Sequence, residues 1–110
     1  MVAAALRDEQ GQIWTGLHLG AVVGRLQICA EAVALGGAIT NGAAMIATAV
    51  AVRHPKAEEA DQELAVVSPC GACREMFFDH VPDVRIIIPG PVGLIKVPVR
   101  SLLPHPYRRS

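Results

Sequence analysis

Ser68-Pro69-Cys70-Gly71-Ala72-Cys73-Arg74-Glu75 decides the fold, once it is read together with the upstream segment Cys29-Ala30-Glu31. A Cys-x-x-Cys pair alone is ambiguous. It fits a redox couple, half of a structural zinc site, or two buried thiols. The third cysteine and the glutamate behind it narrow the choice. Three protein ligands leave the fourth tetrahedral position of a zinc ion open to water, which a reacting metal needs and a structural one does not. A closed site would need a fourth ligand from His18, His54, His80 or His105, and none of these has finger-like spacing to another ligand. A redox couple at Cys70 and Cys73 leaves Cys29 and Glu31 unexplained. Glu31, two residues past a ligand, lies close to the metal without being aimed to bind it. It can serve there as an acid and base.

Both cysteine segments stand where a helix begins. Ala30 to Thr40 has helical composition and is stopped by Asn41-Gly42; Gly71 to Asp79 ends before Pro82. Helix N-termini favour negative charge and depress thiol pKa values, so thiolates form readily at Cys29 and Cys70. Three thiolates on one zinc weaken its Lewis acidity. Arg74, next to Cys73, is expected to offset this by donating to a sulfur.

Around these helices the chain reads as strands. Val2 to Arg7 and Ile13 to His18 flank Asp8-Glu9-Gln10-Gly11 as a hairpin. Gly20 to Gln27 is a loop, and Met45 to Val52 is a buried strand. Arg53 to Glu63 is a charged loop, and Ala65-Val66-Val67 a short strand. Arg85 to Ile88 and Leu94 to Val97 follow, with a last helical turn over Val99 to Leu103. The connection between the last two strands is too short for a parallel crossover, so they should pair antiparallel. The whole is α/β, a mixed sheet of roughly five strands. Trp14 is expected to pack, and Phe77 and Phe78 to serve core and interface.

The 110 residues make one domain, 1–110, around one core. Its 52% hydrophobic content leans on Ala and Val, which suits close packing of helices on a sheet. Ten Lys and Arg balance ten Asp and Glu, and the sole basic cluster is Arg108-Arg109 at the tail. A nucleic-acid polymer is therefore not the expected partner. The uncharged stretch Ala32 to Val52 is interrupted by Gly36-Gly37 and Thr40-Asn41-Gly42, which argues against a membrane span. No basic segment precedes Val2, so no secretory signal is read and a cytoplasmic location is expected.

At its cysteine segments the chain resembles the cytidine deaminase family, and within it the blasticidin-S-deaminase-like branch. Cys29-Ala30-Glu31 and Pro69-Cys70-Gly71-Ala72-Cys73 follow the family's zinc motifs, with Cys at the position where many deaminases have His. The first hairpin, with Gly11-Gln12-Ile13-Trp14-Thr15-Gly16, and the ending Ser101-Leu102-Leu103-Pro104-His105-Pro106-Tyr107 extend the resemblance over nearly the whole chain. It implies a three-layer fold, a five-stranded mixed sheet flanked by helices. It also implies one zinc held by Cys29, Cys70 and Cys73, with Glu31 as proton shuttle.

The Ala30 backbone would hold a pyrimidine carbonyl and the Ser68 carbonyl would receive the leaving amino group. Tyr107 would help close a pocket, its own or a neighbouring subunit's. The implied substrate is a small nucleoside or aminated heterocycle, and the implied assembly a homotetramer or dimer.

The chain departs from the family pattern at three places. His18-Leu19-Gly20 stands where cytidine deaminases carry Asn-x-Glu, so Gly20 supplies no carboxylate for a ribose and His18 becomes a candidate substrate contact. Ala32 replaces an Arg found after the catalytic Glu in many members. The family's N-terminal helix has no counterpart before Val2. These departures keep two other readings open: a zinc-stabilised binding or assembly module without activity, and a thiol redox protein.

Overall fold

The computed structural model describes residues 1–109. The strands are β1 (Val2–Asp8), β2 (Ile13–Leu17), β3 (Ile46–Arg53), β4 (Ala65–Val67), β5 (Arg85–Gly90) and β6 (Gly93–Pro98). The helices are α1 (Ala30–Thr40) and α2 (Gly71–His80). Short 3-10 turns cover Gly24–Leu26 and Val99–Leu102. The strands form a mixed six-stranded sheet ordered β2-β1-β3-β5-β6, with β4 attached to β3 off this path. All six segments read as strands pair in this sheet, one more than the rough count of five. The sixth, β4, pairs antiparallel with the last residues of β3, Ala51 to Arg53.

β5 pairs with β6 antiparallel, as the short connection requires, and with β3 in parallel. The hairpin turn is tighter than expected, because pairing runs to Gly90↔Gly93 and leaves only Pro91 and Val92 outside it. Helix α1 ends where Asn41-Gly42 directs. The Asn41 amide donates to the Gly37 carbonyl, and Gly42 takes the left-handed φ of 77° that a side chain would resist. The uncharged stretch is thus a helix, a turn and a strand. No helix among the described residues is long and apolar enough to cross a membrane.

One face of the sheet carries the core. Ala4 and Leu6 of β1, Ala49 of β3 and Ile86 of β5 pack against Ala30, Ala34, Leu35 and Ala38 of α1 and Cys73 and Phe77 of α2. Alanines at i, i+4 and i+8 give α1 a flat stripe, which lets it approach the sheet closely over Gly16 of β2. Both helices use this same face. Of the three layers implied by the resemblance, the described residues supply two, and the opposite face of the sheet is open.

Trp14 is half-buried against the core, and its indole N–H donates to the Asp8 carboxylate at 3.1 Å. The same carboxylate accepts the Gln10 and Gln12 amides and so holds the β1–β2 turn together. Phe77 is fully buried, whereas Phe78 lies under the Arg100 guanidinium, 5.5 Å from the ring centroid.

Candidate active site

The sheet order brings together residues that are distant in sequence. β1 and β4 both pair with β3, so Val2 and Val67 come to the same end of the sheet. Beyond β2, the His18 amide donates to the Val2 carbonyl at 3.0 Å. Leu19 and Ile28 then exchange both backbone hydrogen bonds, and Cys29 is laid beside His18. From β4 the chain runs through Ser68-Pro69 into the start of α2. A pocket of about 160 Å³ results, lined by His18, Cys29, Ala30, Glu31, Ser68 and Cys70. Val2 and Val67 complete its wall. Their part was not legible in the sequence, because apolar strand ends have no signature until the strand order is known.

Cys29 and Cys70 are the N-caps of α1 and α2, and neither side chain is spent on capping. Cys73 is buried in the first turn of α2. The three sulfurs lie within 4.8 Å of one another, and Cys29 Sγ is 3.7 Å from Cys70 Sγ. Two zinc–sulfur bonds of about 2.3 Å at a tetrahedral angle place their sulfurs about 3.8 Å apart. The spacing therefore suits a shared zinc, and it is far too long for a disulfide bond.

Electrostatics favour the same reading. Burial pushes the Cys73 thiol strongly up, reinforced by the neighbouring Glu31 charge and by hydrogen bonds with Cys29 and Cys70. Burial also raises Cys29, outweighing the bond it receives from Cys73. At Cys70 burial is overcome by the backbone N–H groups of Cys73 and Ala72 and by the two other thiols, and its pKa falls below the ordinary value. Three crowded thiols cannot all ionise without a cation among them. The donor set thus fits a divalent metal that accepts sulfur ligands.

Glu31 is 6% exposed yet belongs to this same pocket, so its carboxyl is sheltered from bulk water and open to a bound molecule. Two expected site residues stand elsewhere. Arg74 does not reach a sulfur. Its Nε donates to the Pro69 carbonyl at 2.9 Å, and its two terminal nitrogens to the Leu102 carbonyl at 3.1 Å and Ser68 Oγ at 3.3 Å. The reason is helical geometry: a side chain one position past Cys73 points about 100° away from the thiols. Arg74 instead anchors the loop that delivers Ser68 and Cys70. Tyr107 is exposed and lines a separate concavity of about 680 Å³ with Glu75, Asp79 and Arg100. A third concavity, of about 480 Å³, lies along β1, β2 and β3. Among the described residues only the cysteine pocket gathers a metal-ligating cluster.

No protein-family model matches the chain. It is 43% identical over 109 residues to the blasticidin-S deaminase of Bacillus cereus, an alignment that spans 99% of this chain and 78% of that protein. The chain belongs to the cytidine deaminase family. Solved structures agree with this membership. The cytidine deaminase of Bacillus anthracis superposes with a TM-score of 0.80 at 28% identity, over 96% of this chain and 74% of that one. The enzyme of Mycobacterium tuberculosis gives 0.75 at 23% identity, over 98% of this chain and 79% of that one, a likeness of fold. The family is one of hydrolases acting on carbon–nitrogen bonds of cyclic amidines, and its zinc motifs coincide here with the three gathered thiols.

Proposed function

We propose that the chain catalyses hydrolytic deamination of a free cytosine nucleoside or a related aminated heterocycle, with one zinc ion held by Cys29, Cys70 and Cys73. The observation that carries this reading is the sheltered Glu31 carboxyl in the same pocket as the thiols. Cys29, Cys70 and Cys73 would hold the zinc, and the metal would supply Lewis-acid activation of a water. Glu31 takes a proton from water, places it on the ring nitrogen, and later delivers a proton to the departing ammonia. The balance is one amino-bearing carbon and one water consumed, one carbonyl and one ammonia produced.

In this reading the Ala30 backbone amide holds the ring carbonyl and the Ser68 carbonyl accepts from the leaving amine. His18 offers donor and acceptor capacity to the far side of the substrate, where Gly20 provides no carboxylate. The small pocket suits a single ring with its substituent rather than a polymer. Tyr107 acts only across a subunit boundary, because in its own chain it stands away from the pocket.

Ammonia release from a panel of cytosine nucleosides, blasticidin S and bare amino-heterocycles tests the reading, with Glu31→Ala alongside. Turnover of one class that vanishes in a zinc-retaining Glu31→Ala is expected. A zinc-loaded chain silent across the panel, or an equally active Glu31→Ala, turns the assignment toward a non-catalytic zinc module.

A further inference from the structure

The three thiols of the site are not equally accessible. Cys70 is exposed, Cys29 is half-buried, and Cys73 is only 3% exposed. Cys29 and Cys70 line the pocket, whereas Cys73 belongs to the core cluster with Phe77 and does not line it. A small molecule that enters the pocket therefore meets two sulfurs. The pocket, about 160 Å³, has room for hydrogen peroxide, which needs the space of two waters at roughly 30 Å³ each.

The same two sulfurs are the pair that stands 3.7 Å apart. Disulfide sulfurs are about 2.05 Å apart, so bonding asks each sulfur to move by about 0.8 Å. Both residues are helix N-caps with extended backbone, and neither side chain makes a capping hydrogen bond. Each is thus free to turn about χ1 without giving up a partner in its own helix. The two caps are 41 positions apart in sequence and begin different helices, so a bond between them ties α1 to α2.

We propose that Cys70 is a site of oxidation by hydrogen peroxide and that Cys29 captures the product, closing a reversible Cys29–Cys70 disulfide that releases the metal. Cys70 Sγ attacks one peroxide oxygen and the O–O bond breaks, which leaves a sulfenic acid and one water. Cys29 Sγ then displaces the sulfenic hydroxyl, forming the S–S bond and a second water. Two thiols lose two electrons and two protons in all, and one hydrogen peroxide is reduced to two waters. Where the thiols begin as metal-bound thiolates, solvent supplies the two protons. Cys73 alone then remains of the three ligands, too few to retain zinc. The new bond takes over from the metal as the tie between the starts of α1 and α2, so the fold should survive and reduction should restore the site. The linkage follows from the thiol geometry alone; only its coupling to zinc loss rests on the metal assignment under the proposed function.

Titration of the full, zinc-loaded chain with hydrogen peroxide, followed by alkylation and tryptic mapping, tests this. Cleavage after Arg25, Arg53, Lys56 and Arg74 puts Cys29 in peptide 26–53 and both Cys70 and Cys73 in peptide 57–74. A bond to Cys29 joins two peptides, whereas a Cys70–Cys73 bond stays inside one. The expected product is the joined pair with Cys73 alkylated, formed in step with release of one zinc per chain to a chromogenic chelator. Dithiothreitol should undo the linkage and restore zinc uptake. Cys73→Ser should still give the joined pair, with or without zinc. Cys29→Ser should not, and its Cys70 should advance to sulfinic acid. Zinc content measured before peroxide is added checks the metal assignment separately. A bond inside peptide 57–74 overturns the proposal, as does a Cys73→Ser chain that fails to link. So does zinc release without the linkage, or thiols left intact by peroxide that fully oxidises free cysteine.

Discussion

Gly16 of β2 lies directly against the Ala34 backbone of α1: a methyl group placed on Gly16 would come within 2.5 Å of the Ala34 nitrogen and 2.8 Å of the Ala30 carbonyl oxygen. Both opposing atoms are main chain, so neither can turn aside. The helix that carries Cys29, Ala30 and Glu31 is therefore seated on the sheet at a distance only glycine allows. Gly16→Ala is expected to lift the start of α1, destabilise the fold by about 1–3 kcal/mol and weaken metal retention. Thermal unfolding and zinc content measured together check this, and a stable, fully loaded variant would contradict it.

Arg74 supports the site without touching a thiol. Its three nitrogens join Pro69, Ser68 and Leu102, coupling the loop before Cys70 to the turn over Val99–Leu102. Arg74→Gln should cost about 2 kcal/mol of stability, as expected for loss of charged hydrogen bonds to partly buried groups. It should also lower kcat/KM while leaving zinc bound. Arg74→Lys should recover little, since an ammonium cannot span three acceptors arranged for a planar fork. Steady-state kinetics with metal analysis would show it.

Metal uptake should release protons. With Cys29 and Cys73 raised and Cys70 lowered, the metal-free site near neutral pH holds most of its thiol protons, and loading zinc expels about two to three of them. Calorimetric titration in buffers of different ionisation enthalpy counts them. Acidification restores the competing protons, so zinc should be lost as pH falls. The metal-free fold has the opposite dependence. Its raised thiols bind more protons than the unfolded chain, so it should lose stability as pH rises past the ordinary thiol value of 9.0.

Asp8 sets the geometry of the first hairpin. Burial opposes its charge, but the bonds from Trp14 Nε1 and the amides of Gln12, Gln10 and Ala44 outweigh that and hold its pKa below the usual value of 3.8. A depressed carboxyl contributes stability above its unfolded pKa, and that stability is lost as pH falls through the lower folded value. Asp8→Asn should turn an amide N–H toward the indole N–H, lower Tm by several degrees and flatten the acid limb of unfolding. Trp14, the sole tryptophan, reports the change by fluorescence.

The thiol site was legible because its chemistry is local: Cys29 and Cys70 each cap a helix, and Cys73 and Glu31 follow within the first turn. Most element boundaries were legible too, since Asn41-Gly42, Pro82 and the Pro89-to-Gly93 connection act through their own backbones. Arg74 shows where local reading stops. Its adjacency to Cys73 suggested a sulfur partner, and the helix turned it toward Leu102.

By itself the sequence determined the clustering of the three cysteines near Glu31, the α/β class and the antiparallel closing hairpin, because caps, turns and metal motifs are written in near neighbours. Only the tertiary structure decided that Val2 and Val67 wall the pocket, that Tyr107 stands apart from it, and that both helices pack on the same face of the sheet. Those outcomes depend on strand order and on which face the two helices choose. Both are settled by packing between residues far apart in the chain, which no local spacing records.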